Sequence, residues 1–297
     1  MIDRVLGAET RSATFTPLGL QLRDPLSDRP VGAGLDVTAR RRAGGRVSRA
    51  FLTPSAVHAF HHLEGLRSLE TFPPDDVREL AAVPSEQVEI VVAAVDRAGR
   101  FLPLVLTVAA PHWGLVTSED VLAASVPGGG PIYLFSAPAR TLAPGTAVVR
   151  ARVAGTSGTP LAFAIVEVSL GPDRWAGISD VDGSVAVAFP SPTFGGAVLG
   201  SPVAGTAGTP PDQQVWTVSI AVRSDLAVLD LVDGIPARGR EWPTLTSLFA
   251  QPHRDIVPAV GSPAAASLTL QLKFGRDLVV RTTDQEDALL LVDGVAP

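Results

Sequence analysis

A cluster of three histidines and a glutamate is the part of this sequence best suited to metal chemistry. The cluster comprises His58, His61, His62 and Glu64. On a helix, His58 and His62 would share a face at the i, i+4 spacing that zinc sites often use. The run His-Ala-Phe-His-His lacks the glutamate that follows the first histidine of a zinc protease and acts as its base. A third ligand would have to come from Glu64, His112 or His253. We therefore interpret the histidines as surface or interface residues and predict no bound metal.

Two aspartates precede a glycine in the run Asp180-Val181-Asp182-Gly183, which resembles the start of a calcium-binding loop. With Asp180 as the first position of such a loop, the twelfth position is Ser191, which has no carboxylate to bind calcium. The run is instead typical of a tight turn in which Gly183 adopts a positive φ. We predict a structural turn here.

The sequence patterns of the common catalytic sites are absent. The chain has no Gly-x-Ser-x-Gly elbow, and its glycine run at 128–130 is not followed by the lysine of a Walker loop. Cysteine and asparagine are missing, and Lys273 is the only lysine. This composition excludes disulfides, thiolate chemistry and a lysine–asparagine isopeptide bond. We predict a protein that is not an enzyme and that uses no cofactor.

Basic residues are concentrated near the N-terminus, although the whole chain has a net charge of −6. Residues 1–50 contain nine arginines and five acidic residues. The run Arg40-Arg41-Arg42, with Arg46 and Arg49, would suit phosphate, but no aromatic residues are interleaved with these arginines. We therefore predict no binding to nucleic acid and interpret the run as a solvated hairpin tip or a docking patch for an acidic neighbour. The candidate interface residues are Arg40, Arg41, Arg42, Trp242 and Phe249.

The composition indicates many short strands joined by turns, because 28 glycines and 26 prolines accompany 46% hydrophobic residues. Apolar runs predict a strand hairpin at 88–95 and 101–109. Residues 268–274 and 278–282 are predicted to pair through Gly275.

Three segments have helical features, and the shortest of these helices is one turn within residues 119–126. Residues 53–69 fit either a helix with proline at its first position or a strand followed by a loop. A short helix is predicted near 244–250.

The sequence shows no basic-then-apolar signal at its start, and its longest apolar runs have the length of strands. We predict no membrane span. We expect a cytoplasmic protein, or one that leaves the cytoplasm as part of an assembled particle.

Four strands are predicted between residues 147 and 189. Within them, 147–153 (AVVRARV), 160–168 (PLAFAIVEV) and 177–187 (GISDVDGSVAV) resemble carboxypeptidase regulatory-like domains, with Ser179 in place of the usual threonine. The resemblance implies a transthyretin-like β-sandwich, a scaffold more often than an enzyme. Residues 191–213, rich in glycine, proline, serine and threonine, are predicted to be an exposed loop and a site of partner contact.

A second resemblance involves the N-terminal part. Residues 51–57 (FLTPSAV), 65–70 (GLRSLE) and 96–103 (DRAGRFLP) are similar to a family found with contractile phage-tail-like injection systems. That family implies a structural subunit of the particle, at its cap, baseplate or fibre attachment.

The sequence therefore predicts a mainly β protein: an N-terminal β-rich assembly domain (1–143), a transthyretin-like antiparallel β-sandwich with long insertions (144–283), and a C-terminal tail (284–297) that orders on a partner. We expect a structural subunit that binds other subunits of a symmetric particle, with several copies of the chain in the assembly. Two other classes stay open: a surface adhesin or carbohydrate-binding module, and a metallo-hydrolase that uses the histidine cluster.

Overall fold

The structure is a computed structural model that describes residues 13–14, 16–67, 71–72, 87–112, 114–122, 130–192, 214–233, 241–285 and 287–294. The protein is mainly β, as predicted, with several antiparallel sheets and two short α-helices in the described residues. The chain divides into two compact units. Unit 1 comprises residues 1–22, 30–94 and 106–132; unit 2 comprises residues 23–29, 95–105 and 133–297.

The elements are numbered in chain order. The strands are β1 (Ala13–Thr14), β2 (Leu18–Leu20), β3 (Leu22–Arg23), β4 (Leu35–Arg41), β5 (Ser48–Arg49), β6 (Phe51–Leu52), β7 (His58–Phe60), β8 (Thr71–Phe72), β9 (Val88–Asp96), β10 (Leu104–Ala110), β11 (Leu115–Val116), β12 (Ile132–Tyr133), β13 (Thr146–Gly155), β14 (Ile165–Leu170), β15 (Asp173–Ile178), β16 (Ser184–Pro190), β17 (Val215–Arg223), β18 (Leu231–Val232), β19 (Trp242–Pro243), β20 (His253–Arg254), β21 (Leu268–Lys273), β22 (Leu278–Val280) and β23 (Leu290–Val292). The helices are α1 (Ser118–Leu122), α2 (Leu245–Ala250) and a 3₁₀ helix (Leu226–Val228).

Two four-stranded sheets lie mainly in unit 1, with the strand orders β10-β9-β4-β5 and β11-β2-β7-β6. β9 is buried from Ile90 to Ala94, and its neighbour is β10, which confirms the predicted hairpin. One of the connections between the two sheets is a single residue long, because β5 is the last strand of one sheet and β6, two residues after the end of β5, is the last strand of the other. Between these strands, the backbone N–H of Ala50 donates to the Val37 carbonyl at 2.9 Å.

The segment that follows this edge is a strand hairpin and not a helix. β6 pairs with β7, and Thr53 closes the turn between them. The Thr53 N–H donates to the Val57 carbonyl at 2.9 Å, and the Thr53 hydroxyl accepts from the Val57 N–H at 3.0 Å. Of the two alternatives for residues 53–69, the strand followed by a loop is therefore the one that forms, in the part that the structure describes.

Unit 2 contains a β-sandwich whose two sheets enclose one apolar core. One sheet has the order β16-β13-β22, with β23 also paired to β13, and the other has the order β15-β14-β17-β20, with β21 also paired to β17. The four predicted strands between 147 and 189 are confirmed as β13 to β16. Antiparallel pairs predominate, and β22 and β23 add two parallel pairs with β13. The most buried core residues include Val149, Val153, Val166, Val168, Val187, Phe189, Val218, Ile220, Val222, Leu272, Val280, Leu290 and Val292.

The turn before β16 is held by Asp180 and Gly183. One carboxylate oxygen of Asp180 accepts hydrogen bonds from the N–H groups of Asp182 and Ser184, both at 2.9 Å. Gly183 has a φ of +77°, and a Cβ at this position would overlap the Val153 carbonyl oxygen. The positive φ and the close approach together require glycine here, so the tight turn predicted from the sequence is confirmed.

The predicted pairing of 268–274 with 278–282 is wrong. β21 pairs antiparallel with β17 in one sheet, whereas β22 pairs parallel with β13 in the other. Gly275, with a φ of +66°, therefore lies in a connection between the two sheets. An ion pair of 2.7 Å between Asp277 and Arg150 fixes β22 beside β13. A turn signal between two apolar runs does not distinguish a hairpin from such a crossing.

The structure also differs from the prediction of a partner-dependent tail. β23 pairs in parallel with residues 153–155 of β13, and the side chains of Leu290 and Val292 are fully buried in the sandwich core. β22 covers only residues 149–151 of β13, which leaves residues 153–155 open to pair with β23. The predicted loop at 191–213 lies outside the described residues from 193 onward.

Candidate interaction surface

The histidine cluster does not have the geometry of a metal site. His58 lies in β7, is 3% exposed, and places its Nε2 3.1 Å from the Val31 carbonyl oxygen. Burial lowers the pKa of His58, which opposes the protonated form. The His61 ring stacks on Phe51 at 4.6 Å between centroids, and His62 is exposed. Among the described residues, no three groups of histidine, aspartate or glutamate come together as ligands.

The predicted arginine run lies at the end of β4. Arg42 makes an ion pair with Glu89 at 3.5 Å and donates to the Thr107 hydroxyl at 3.3 Å. Arg40 and Arg41 are half-buried, and the Arg41 Nε is buried without a hydrogen-bond partner in the structure. An open cavity of about 400 Å³ lies beside this run, lined by Arg41, Arg42, Ala43, Gln87, Val88 and Glu89. The contacts with Glu89 and Thr107 position the Arg42 side chain at the end of β4. The role of the arginines in binding a partner stays a prediction.

The two predicted aromatic anchors belong to the packing of unit 2. Trp242 meets the Phe163 ring edge-on at 5.2 Å, and Phe249 lies 6.4 Å from the Phe135 ring. Both anchors are half-buried. Part of each ring is therefore buried within unit 2. Contact of the exposed part with a partner stays a prediction.

The structure adds a surface that the sequence analysis did not single out. Val47, Phe51 and Leu52 are 49%, 41% and 47% exposed, and they lie on or beside β5 and β6. In the part of the chain that the structure describes, both strands are the last of their sheets, so their outer backbone groups face away from the sheet. Large apolar side chains on a sheet edge are typical of a site that pairs with another chain. A sequence signal was present, since two adjacent large apolar residues directly follow an arginine-rich hairpin.

Arginines lie beside this edge, and acidic side chains lie among them. Residues 40–49 contain five arginines and no acidic residue. Arg49 pairs with Asp36 at 2.9 Å, and the Arg46 N–H donates to Glu64 at 2.9 Å. We call the surface formed by Arg46, Val47, Arg49, Phe51 and Leu52 the basic edge.

Unit 2 has a further exposed apolar surface, in which Asp225 is paired with Arg254 at 2.8 Å. Residues 225–233 contain three aspartates and no basic residue. Within them, Leu226, Val228 and Leu231 are 52%, 43% and 45% exposed, and the 3₁₀ helix has no buried residue. We call residues 225–233 the acidic segment. Leucines and aspartates in such a run also suit an ordinary strand exit, so the sequence alone does not mark this surface.

Comparisons with known proteins give little further information. No protein-family model matches the chain, and no curated protein matches it. Among solved structures, the Bacillus anthracis TIE protein is similar at 6% identity and a TM-score of 0.21. The match covers 94% of this chain and 33% of that protein, so the chain spans about a third of its length. A likeness this distant carries no argument about fold or function.

None of the helices in the described residues is long and apolar enough to cross a membrane.

Proposed function

We propose that this chain is a non-enzymatic structural subunit of a contractile phage-tail-like injection particle, at its cap, baseplate or fibre attachment. The observation that carries the proposal is the basic edge. Its Phe51 and Leu52 begin the FLTPSAV motif that resembles the injection-system family, and they are exposed on an edge strand. In the proposal, the transthyretin-like sandwich of unit 2 is the scaffold, and neighbouring subunits bind at the edges.

The edge strand β21 gives a contrast with the basic edge. Among the described residues, β21 is paired on one side only, to β17. Its exposed side chains are Thr269, Gln271 and Lys273, which include the only lysine of the chain. Polar residues and lysine on an edge strand prevent pairing with other chains. The basic edge also carries charge, in Arg46 and Arg49. It differs in presenting three large exposed apolar side chains, whereas β21 presents none, and this difference supports a role in binding.

The chemistry at the basic edge also favours a protein partner. Strand edges bind other strands through backbone hydrogen bonds, and alternate side chains then select the partner. Here His61 supports the Phe51 ring from one side, and Leu52 packs against Gly32, where an added Cβ would lie only 3.0 Å from it. The two apolar side chains are thus held in place before a partner arrives, which lowers the entropic cost of binding.

The proposal predicts that genes for tube, sheath or baseplate proteins lie beside the gene of this chain, and it is tested by mixing each of their purified products with the chain. We expect at least one of them to bind, and the double variant Phe51→Ser/Leu52→Ser to bind it at least about tenfold more weakly. The matched control is Leu115→Ser, which changes a comparably exposed residue in β11, at the opposite end of the same sheet. The proposal fails if no such protein binds, or if the double variant and the control bind alike.

A further inference from the structure

We propose that Asp293 and Gly294 form a site of spontaneous backbone modification, at which the chain closes into a succinimide ring that then opens to isoaspartate. The pair directly follows β23, and both residues are exposed. The Gly294 N–H donates to Oδ1 of the Asp293 side chain at 2.8 Å. This chemistry goes beyond the proposed function and is independent of it, since it involves no partner.

The reaction is a condensation within one Asp-Gly pair. The Gly294 nitrogen loses its proton and attacks Cγ of Asp293, so that an N–Cγ bond forms. The bond from Cγ to one carboxyl oxygen breaks, and that oxygen leaves as water. Water then adds to the ring at one of its two carbonyl carbons. Addition at Cγ restores aspartate, whereas addition at the backbone carbonyl carbon gives isoaspartate, in which the main chain runs through the former side chain.

The structure brings the reacting atoms together. Because Oδ1 is bonded to Cγ, the contact at Oδ1 places the Gly294 nitrogen next to the carbon that it attacks. Intramolecular reactions are fast when the reacting atoms are held about 3 to 3.5 Å apart. The backbone of Asp293 is held in place, since its N–H donates to the Asp255 carbonyl at 2.8 Å. Gly294 has no side chain to hinder the approach, and its exposure admits the water that opens the ring.

A cation lies beside the reacting amide. A Cβ added at Gly294 would lie 3.7 Å from Nη1 of Arg254. The other nitrogens of this guanidinium fix it in place, because Nε donates to the Ser224 carbonyl and Nη2 pairs with Asp225, both at 2.8 Å. A fixed positive charge at this position favours the negative charge that develops as the amide loses its proton and attacks.

The pair Asp182-Gly183 has the same residue types in a different geometry. The Gly183 N–H donates to the Asp180 carbonyl at 3.1 Å, so it is engaged by another residue and not by the Asp182 side chain. Gly183 is also buried, tightly packed against the Val153 carbonyl. We therefore expect Asp182 to resist ring closure in the folded protein.

Trypsin separates the Asp-Gly pairs of the chain, which lie in the peptides 175–223, 224–238 and 282–297. The folded full-length chain is incubated at mildly acidic pH, where the leaving oxygen is protonated. Mass spectrometry of the intact protein detects the ring as the loss of one water. After digestion, methylation by an isoaspartate methyltransferase locates the opened product. We expect at least about tenfold more product in peptide 282–297 than in peptide 175–223.

Two controls test whether the fold causes this difference. Asp293→Glu retains the carboxylate but would have to close a larger and less favourable ring, so its peptide 282–297 should gain little product. In denaturant, the native chain should form similar amounts of product in peptides 175–223 and 282–297, because the two pairs then have the same local chemistry.

Variants at Arg254 test the contribution of its charge. Arg254→Lys retains a cation and should react at close to the native rate, whereas Arg254→Gln should react several-fold more slowly. If Arg254 served only to hold the segment, its loss would loosen the backbone and would not slow the reaction in this charge-dependent way. Equal rates for the two variants would therefore show that the charge plays no part.

Several outcomes would overturn the proposal. Peptide 282–297 could gain no product, or no more than peptide 175–223 in the folded chain. An excess that persists in denaturant would assign the reaction to the local sequence and not to the structure. Equal product from Asp293→Glu and the native chain would place the reaction at another aspartate of that peptide. None of these results affects the binding of particle proteins at the basic edge, so the proposed function is tested separately.

Discussion

At the scale of single residues, the hydroxyl of Ser179 holds together two parts of the sandwich. Its side chain is fully buried, donates to the Leu161 carbonyl at 2.7 Å and accepts from the Ala164 N–H at 2.8 Å. Both partners precede β14, so the hydroxyl fixes the entry to that strand against the end of β15. This position explains why a hydroxyl residue stands at the start of the turn motif.

Replacing Ser179 tests that role. Ser179→Ala would leave the Leu161 carbonyl and the Ala164 N–H buried without this partner, and we expect a loss of about 2 to 4 kcal/mol in the free energy of unfolding. Ser179→Thr retains the hydroxyl and should lose less. Denaturant unfolding of both variants measures the difference. Equal losses would mean that the volume of the side chain, and not its hydrogen bonds, is what matters.

At the scale of elements, β13 organises the sandwich because it pairs with three other strands. It pairs antiparallel with β16 on one side, and on its other side it pairs in parallel with β22 and then with β23. Between β22 and β23 the chain leaves the sheet, and the Thr282 hydroxyl in this connection makes two hydrogen bonds. It donates to the Val257 carbonyl at 2.8 Å and accepts from the Leu291 N–H at 2.9 Å.

A truncated chain tests the contribution of β23. Ending the chain after Gln285 removes Leu290 and Val292, whose complete burial stabilises the fold by about 3 to 6 kcal/mol in total. That is a large part of the stability of a typical domain, so we expect a much lower melting temperature or an insoluble product. The control ends after Gly294 and keeps β23. Thermal unfolding followed by circular dichroism compares the two, and similar melting temperatures would contradict the structural role of β23.

Sequence reasoning succeeded for elements whose partners are close along the chain. The hairpin of β9 and β10, the strands β13 to β16 and the helix α2 are encoded by local alternation, turns and caps. It did not predict the partners of β21, β22 and β23, because those partners lie far away in sequence and any apolar strand is a plausible match. The basic edge was missed for a related reason: exposure of Phe51 and Leu52 follows from the strand order, which apolar residue types alone do not reveal.

At the scale of the molecule, the two units differ in how the chain builds them. Three separate stretches contribute to each unit. The core cluster of the sandwich nevertheless comes from one stretch, because all its buried members lie between Ala147 and Val292. Segments 23–29 and 95–105 belong to unit 2 but contribute no residue to that core. Val105, in the second of them, makes an isolated parallel β-bridge with Thr244.

This arrangement predicts how fragments will behave. A fragment of residues 144–297 contains the complete core cluster, and we expect it to unfold cooperatively, with lower stability than unit 2 in the full chain. A fragment of residues 144–283 lacks β23 and should show no cooperative transition. Thermal unfolding and amide hydrogen exchange measure both. A disordered 144–297 fragment would show that the segments outside this stretch are needed for the sandwich to fold.

The parallel pairing of β13 with β22 and β23 also sets the timing of folding during synthesis. β16 follows β13 closely, but β22 is translated about 130 residues after β13 and β23 later still. At ordinary rates of translation, that interval lasts roughly 10 s. Throughout it, one side of β13 has no strand beside it, so the growing chain exposes an apolar edge that the finished protein conceals. Unpaired apolar edges of this kind favour aggregation, so we expect chaperones to bind the nascent chain until residue 292 has left the ribosome.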